Sequence, residues 1–593
     1  MTGTAATPLN ALLAPLGFYG GPTQTMPPLP GSPAIAAGST SLIPNGVTTD
    51  QRGKGRTLNG TVDIGAVETQ GYTLTRTGGN SQTALGGAAF ASPLSVSVTA
   101  NDVNDPVNGG VISFAGPATG ASATFSPAKA TIVGGAASST ATANATPGSY
   151  NATASASGAN TVAFALRNIV QPAFSGLTSA TSTYGTASAT FTGSLAAGTS
   201  AATGSVTVTI SGNGITALST SASLDATGHF SATINTAALP ANPTSPYTVT
   251  YAYTAQGNFL AASDQSTTLT VNQAGLTVTA ASPTILIGQS VPSLTYTYTG
   301  LVNGDASASF TGGLATTATG TPAAGTYAVT QGTLAATGNY KITNFVAGTL
   351  TVVGSGVSVV GNALYLVGGN TNDQVKVSAI GSSQTGGTGV RVTGKLNNVS
   401  INRTFTQAFA TIFVVGYNGN DSIEFADSLT VAAVITEGNG NDQIKLGNGN
   451  NKITAGTGNL EIKAGNGTNT INAGAAGSSG NIQVELGNGA NNLVTLLGNG
   501  NDQVQAGDGD GNVVTIIGNG NNQIELGNGN GNVASITGNG NNQIQLGDGN
   551  GCSVTMVGNG NNQIETGNGS GTVHVAGTGK KKVKLGGNGW RLV

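Results

Sequence analysis

Apolar residues alternate with small polar ones through much of the chain. Leu94-Ser95-Val96-Ser97-Val98, Ser205-Val206-Thr207-Val208-Thr209-Ile210 and Tyr247-Thr248-Val249-Thr250-Tyr251 keep a period of two, which places alternate side chains on one sheet face. Such runs recur at short intervals between residues 71 and 353, punctuated by Gly and Pro, with no amphipathic helix between them. That spacing predicts β-sandwiches. Farther on the pattern becomes a repeat. Gly498-Asn499-Gly500-Asn501-Asp502-Gln503-Val504 returns from Gly518, Gly538 and Gly558 on a 20-residue beat. Gln523-Ile524-Glu525-Leu526 reads as a short strand after the loop. Val514, Ala534 and Val554 fall in one column, Ile516, Ile536 and Met556 in another, with Thr515, Ser535 and Thr555 between them. Aliphatic columns alternating with hydroxyl columns predict strands stacked in parallel ~4.8 Å apart, as in a solenoid. The loop glycines are expected to supply the positive φ angles of the turns. The fold class expected is all-β.

Composition narrows the function classes. At 593 residues the chain should hold several domains. Charged residues are only 7% and net charge is −3, which argues against nucleic acid as partner. Lone Cys552 excludes an intramolecular disulfide framework and a cysteine zinc site; it stands in the column of Asn512 and Asn532. No apolar run reaches the ~18 residues of a membrane span, and Met1 to Ala14 lacks the basic and apolar regions of a secretory signal. His229 and His574 are the two histidines, in different modules, and no catalytic constellation stands out. The chain is therefore read as non-enzymatic.

Several segments resemble modules of bacterial surface proteins. Gly20-Gly21-Pro22-Thr23, Pro30-Gly31-Ser32-Pro33-Ala34-Ile35, Thr49-Asp50-Gln51-Arg52-Gly53 and Val62-Asp63-Ile64-Gly65-Ala66-Val67-Glu68 resemble the closing segment of a right-handed parallel β-helix of choice-of-anchor type. The resemblance implies that residues 1–70 end a longer β-helix, with a signal upstream. Residues 71–169 and 170–273 resemble bacterial Ig-like sandwiches. Residues 274–353, with Leu301-Val302-Asn303-Gly304-Asp305 and Gly348-Thr349-Leu350-Thr351-Val352, look like the MBG-type β-module common in adhesins. Residues 354–433 form a β-rich lead-in, and 434–593 a β-roll with a cap at Lys580-Lys581-Lys582 and Trp590-Arg591.

The repeat phrase resembles the RTX, or hemolysin-type calcium-binding, nonapeptide G-G-x-G-x-D-x-U-x, whose aspartates hold Ca²⁺ between stacked loops. The aspartate is kept at Asp373, Asp421, Asp442 and Asp502; at the same place in the phrase stand Asn451, Asn469, Asn522, Asn542 and Asn562, with Leu460 in one copy. The resemblance thus implies weak or partial calcium binding through those four aspartates, since affinity follows the count of charged ligands. Against it stands a metal-free roll in which asparagine amides ladder with one another and with the loop backbone.

The functional expectation is an extracellular or cell-surface, adhesin-like structural protein, with a surface polysaccharide or another cell as partner. Two alternatives are an accessory tail of a polysaccharide-active β-helix enzyme and an ice-binding roll presenting the outward columns Asn499/Asn501, Asn519/Asn521, Asn539/Asn541 and Asn559/Asn561.

Overall fold

The structure is a computed structural model that describes residues 9–381 and 389–593. The first eight residues of the 1–70 segment, within the stretch read for a secretory signal, lie outside the described residues. The chain divides into two compact units, one of Met1–Val278, Tyr298–Thr311 and Leu334–Asn344, the other of Thr279–Thr297, Gly312–Thr333 and Phe345–Val593.

In the first unit, the alternating segments pair into two-sheet sandwiches. Residues 71–169 give a four-stranded sheet (Tyr72–Gly78, Leu94–Ala100, Ala136–Ala143, Ala123–Ser126) and a five-stranded one (Gln82–Leu85, Val162–Ile169, Gly148–Ser155, Val111–Ala115, Lys129–Thr131). Leu94, Val96, Ile112 and Phe164 are fully buried between them. Residues 170–273 repeat the plan around Val206, Val208, Ile210, Tyr247 and Tyr251. In both, the module's second strand runs parallel to its last: Gln82–Leu85 beside Val162–Ile169, and Ala180–Thr183 beside Ala262–Asn272. The other strand pairs are antiparallel, so these are Ig-like sandwich sheets.

Over residues 9–70 the described chain makes no parallel strand pair. Its bridges, such as Leu13–Pro28 and Gly17–Thr25, are isolated and antiparallel. The charged residues of the motifs are buried instead of solvated. The Arg52 guanidinium bonds Asp50 at 3.2 Å and Asp105 of the first sandwich at 2.6 Å, and donates to the Glu68 carbonyl at 2.9 Å. Asp63 accepts from Ala36 N–H and from both donors of Thr69. A buried charge persists only when paired in this way, so the motifs hold the segment onto the sandwich.

The second unit contains the parallel pair Thr284–Leu286 and Gly348–Val353 and then the roll. Two sheets of 12 strands each build a parallel β-solenoid. The lead-in belongs to it: Ala363–Val367 pairs in parallel with Thr411–Tyr417, and Gln374–Ala379 with Ser422–Phe425. A hairpin, Val390–Leu396 with Val399–Phe405, is inserted in that first turn. The spacing between equivalent residues is 48 there, then 21, 18 and 22 before it settles at 20. The aliphatic columns lie inside as expected, Val514, Ala534 and Val554 in register with one another and Ile516, Ile536 and Met556 likewise. Trp590, buried, donates its indole N–H to the Gly567 carbonyl at 3.0 Å and closes the C-terminal end of the core.

The expectation for the loop glycines needs correction. Gly511, Gly531 and Gly551 do take positive φ (67°, 68°, 71°). Gly518, Gly538 and Gly558 do not; a Cβ there would fall on the carbonyl oxygen of the equivalent glycine one turn earlier. Close stacking of turns, not turn handedness, selects these glycines.

Candidate functional site

Each turn of the roll has two loops, one at each edge, and each edge carries an inward column of Asp or Asn. One column runs Asp373, Asp421, Asp442, Leu460, Ile482, Asp502, Asn522, Asn542, Asn562; Leu460 pairs with Asp442 and with Ile482. The other runs Asn451, Asn469, Asn492, Asn512, Asn532, Cys552. Asn451 and Asn469 therefore do not stand with the aspartates, although the phrase reads alike at both edges. The two apolar turns also separate Asp502 from Asp442.

All these polar side chains are at most 3% exposed. In the asparagine turns the head group is fully used. Asn522 Oδ1 accepts the N–H of Asp502 at 3.0 Å, and its Nδ2 donates to the carbonyls of Gly518 and Gly520 at 3.4 and 3.1 Å. Asn542 does the same with Asn522 N–H, Gly538 and Gly540. Outside, a second ladder runs in the opposite sense: each loop N–H donates to the Oδ1 of the previous turn, from Asn420 on Asn372 through to Asn561 on Asn541. Asp508, Asp510 and Asp548 serve as acceptors in equivalent outer ladders.

The aspartate turns keep only half of this arrangement. Oδ1 of Asp421, Asp442 and Asp502 accepts the N–H of Asp373, Asp421 and Ile482 at 2.7, 2.9 and 2.9 Å. Their Oδ2 atoms, standing where asparagine carries its donor, have no hydrogen-bond partner. The carbonyls that take the asparagine donor lie two and four residues earlier; the same places are Gly438 and Gly440 before Asp442, Gly498 and Gly500 before Asp502, and Tyr417 and Gly419 before Asp421. Asp373 differs: Gly369 N–H donates to Oδ2 at 3.0 Å, and Asn397 N–H of the inserted hairpin to Oδ1 at 2.6 Å. Tested against a calcium ion, the orphaned oxygens of Asp421, Asp442 and Asp502 fit an electropositive guest, while both Asp373 oxygens already accept donors.

A further acid, absent from the repeat phrase, joins this column. Glu437 is 4% exposed and faces Asp421. A proton on either carboxyl makes a hydrogen bond between them; without it both Glu437 oxygens lack a donor. Burial, reinforced by the charge of Asp421, pushes Glu437 up to about 10. Burial likewise raises Asp421, and lifts Asp442 and Asp502 to about 6, against the opposing backbone hydrogen bonds. The signal that could have found Glu437 is its place in the alternation: it ends Ala432–Glu437 in line with inward Ala433 and Ile435. Among the described residues no group of three or more His, Cys, Asp or Glu side chains is arranged to hold a metal. His574 stands in register with Thr555 and Ser535 on the outer face.

With this geometry in hand, comparison with known proteins places one module. Residues 276–351 match the MBG domain (YGX type). The MBG segment follows the two Ig-like sandwiches and precedes the roll. No curated protein matches the chain. Among solved structures, the chain is similar to the Escherichia coli adhesin FdeC at 18% identity, covering 48% of this chain and 96% of that one, with a TM-score of 0.23. A tetra-tandem repeat from the extending region of a large adhesion protein is 14% identical, with 56% and 87% covered and a TM-score of 0.22. The ICAM-5 D1–D4 ectodomain fragment is 10% identical, with 56% and 98% covered and a TM-score of 0.25. Likenesses this low carry no argument about function. No helix among the described residues is long and apolar enough to cross a membrane.

Proposed function

We propose that the protein is a non-catalytic, extracellular or cell-surface protein of adhesin type, in which Ig-like and MBG modules carry a roll that binds calcium weakly and at few turns. The module order supports the first part: tandem sandwiches, an MBG domain and a solenoid are presentation elements, and its partner would be a surface polysaccharide or another cell. The second part rests on one observation, the unpartnered Oδ2 atoms of Asp421, Asp442 and Asp502 beside donor-filled asparagine seats of the same column. Calcium takes six to eight oxygens, so loop carbonyls and water would complete each seat. Bound there, the ion supplies the positive charge that the asparagine amide supplies elsewhere.

The test is a thermal melt of the full chain by circular dichroism in millimolar Ca²⁺ and in EDTA. A ligand at a hundredfold excess over its Kd adds ~2.7 kcal/mol, so the roll transition should move up with calcium. Coincident melts would leave an amide-held roll and remove calcium from the reading.

A further inference from the structure

Among the described residues Glu437 is the one acid at its inward strand-end column, and the backbone around it is irregular. Pairing between Thr411–Tyr417 and Ala432–Glu437 slips at Val415/Tyr417, and Tyr417 adopts a left-handed φ of 64°. Bulges re-aim side chains and gather beside functional sites; a bulky residue in the left-handed region persists only where its surroundings impose it. The bulge leaves Gly416 buried and facing the acids. A Cβ on Gly416 would collide with Oε2 of Glu437 and stand 2.7 Å from Oδ2 of Asp421. Those two oxygens converge beside Gly416, and apart from a proton shared between the two carboxyls neither is met by a donor. None of the ion pairs among the described residues involves either carboxylate.

We propose that Glu437 and Asp421 form a seat for one calcium ion at this bulge, with Glu437 as a ligand that the repeat phrase does not contain. Two buried carboxyls in contact are held either by a shared proton or by a cation, because an uncompensated buried charge is strongly destabilising; calcium would displace that proton. Oxygen-only donors suit a hard cation, with calcium tolerant of irregular geometry. The proposal rests on the calcium reading above and adds a ranking. The Glu437–Asp421 pair offers two carboxylates to one ion, so it binds more tightly than the single-carboxylate seat at Asp502.

Isothermal titration of the chelator-treated full chain with calcium chloride tests it, comparing wild type, E437Q and D502N, with a circular dichroism spectrum of each. The expected result is a tightest class of site that E437Q weakens at least tenfold and D502N leaves intact. If wild type binds and E437Q binds equally well, Glu437 is not a ligand and the seat is refuted while the calcium reading stands. If wild type takes up no calcium at millimolar concentration, both fall. Should E437Q not fold, E437D replaces it: drawing the carboxylate back from Asp421 should weaken the tightest site at least tenfold, and unchanged affinity overturns the seat.

Discussion

The turns around residues 411–445 and those around 522–564 belong to the same two sheets and share one continuous core. Their loops carry nearly the same phrase, yet they solve one problem in different ways. In the later turns an asparagine amide donates into the glycine carbonyls, and the seat is complete. In the earlier turns a carboxylate occupies the seat and leaves an oxygen without a donor. Exchange of one NH₂ for O reverses the electrostatic demand of an otherwise identical backbone. A roll can thus be metal-independent at one end and responsive to cations or protons at the other without any change of fold.

Asn542→Asp should test this contrast most severely. It removes the donor to Gly538 and Gly540 and buries an uncompensated carboxylate, so in EDTA it should cost ~3 kcal/mol. Calcium should restore much of that loss; hydrogen exchange of the amides around Ile544 reads both. If the variant is as stable as wild type in EDTA, the amide is not the group that holds the seat. Next in size, Ile544→Ala should cost ~2–5 kcal/mol by opening the shared core, by the same amount with and without calcium. A calcium-dependent penalty there would mean that loop and core are not separable. Asp502→Asn completes the donor set in the reverse direction and should gain ~1 kcal/mol in EDTA, measured as a rise in the denaturation midpoint.

A separate effect comes from a buried carboxylate outside the roll. Glu68 is raised to about 7, chiefly by burial, with the Asp63 charge adding and Arg56 opposing. A folded pKa above the unfolded one means that the folded state holds the extra proton. Its contribution is therefore full below about 4.5 and is lost as pH rises through 7. Limited proteolysis of the 9–70 segment across pH 4–8 should show it loosening toward neutral pH, with a flatter profile in Glu68→Gln. Added calcium should not alter that profile.

Much of the roll was legible along the chain. The strand Gln523–Leu526, the inward columns of Val514 and Ile516 and the outward Thr515 follow from period two combined with a fixed repeat. Stacking in register leaves each such residue only one neighbour type, so the local pattern suffices. The exposed outer asparagines were legible for the same reason. Asn451 and Asn469 were not, because the same Gly-x-Gly phrase serves both edges and only the strand pairing tells which edge a copy occupies. Glu437 was hidden by the slip at Val415/Tyr417, a one-residue event that the repeat spacing averages away.

Sequence alone determined that this protein is all-β, with Ig-like sandwich sheets followed by a parallel roll whose aliphatic columns face inward. Those properties depend on local periodicity and on composition, which short stretches of chain carry in full. Tertiary structure decided the rest. It assigned each asparagine and aspartate to an edge, set Glu437 against Asp421, and buried Arg52 between Asp50 and Asp105. The physical reason is common to all three: a buried polar group is defined by the donor or charge that meets it, and here that partner comes from another turn or another module of the chain.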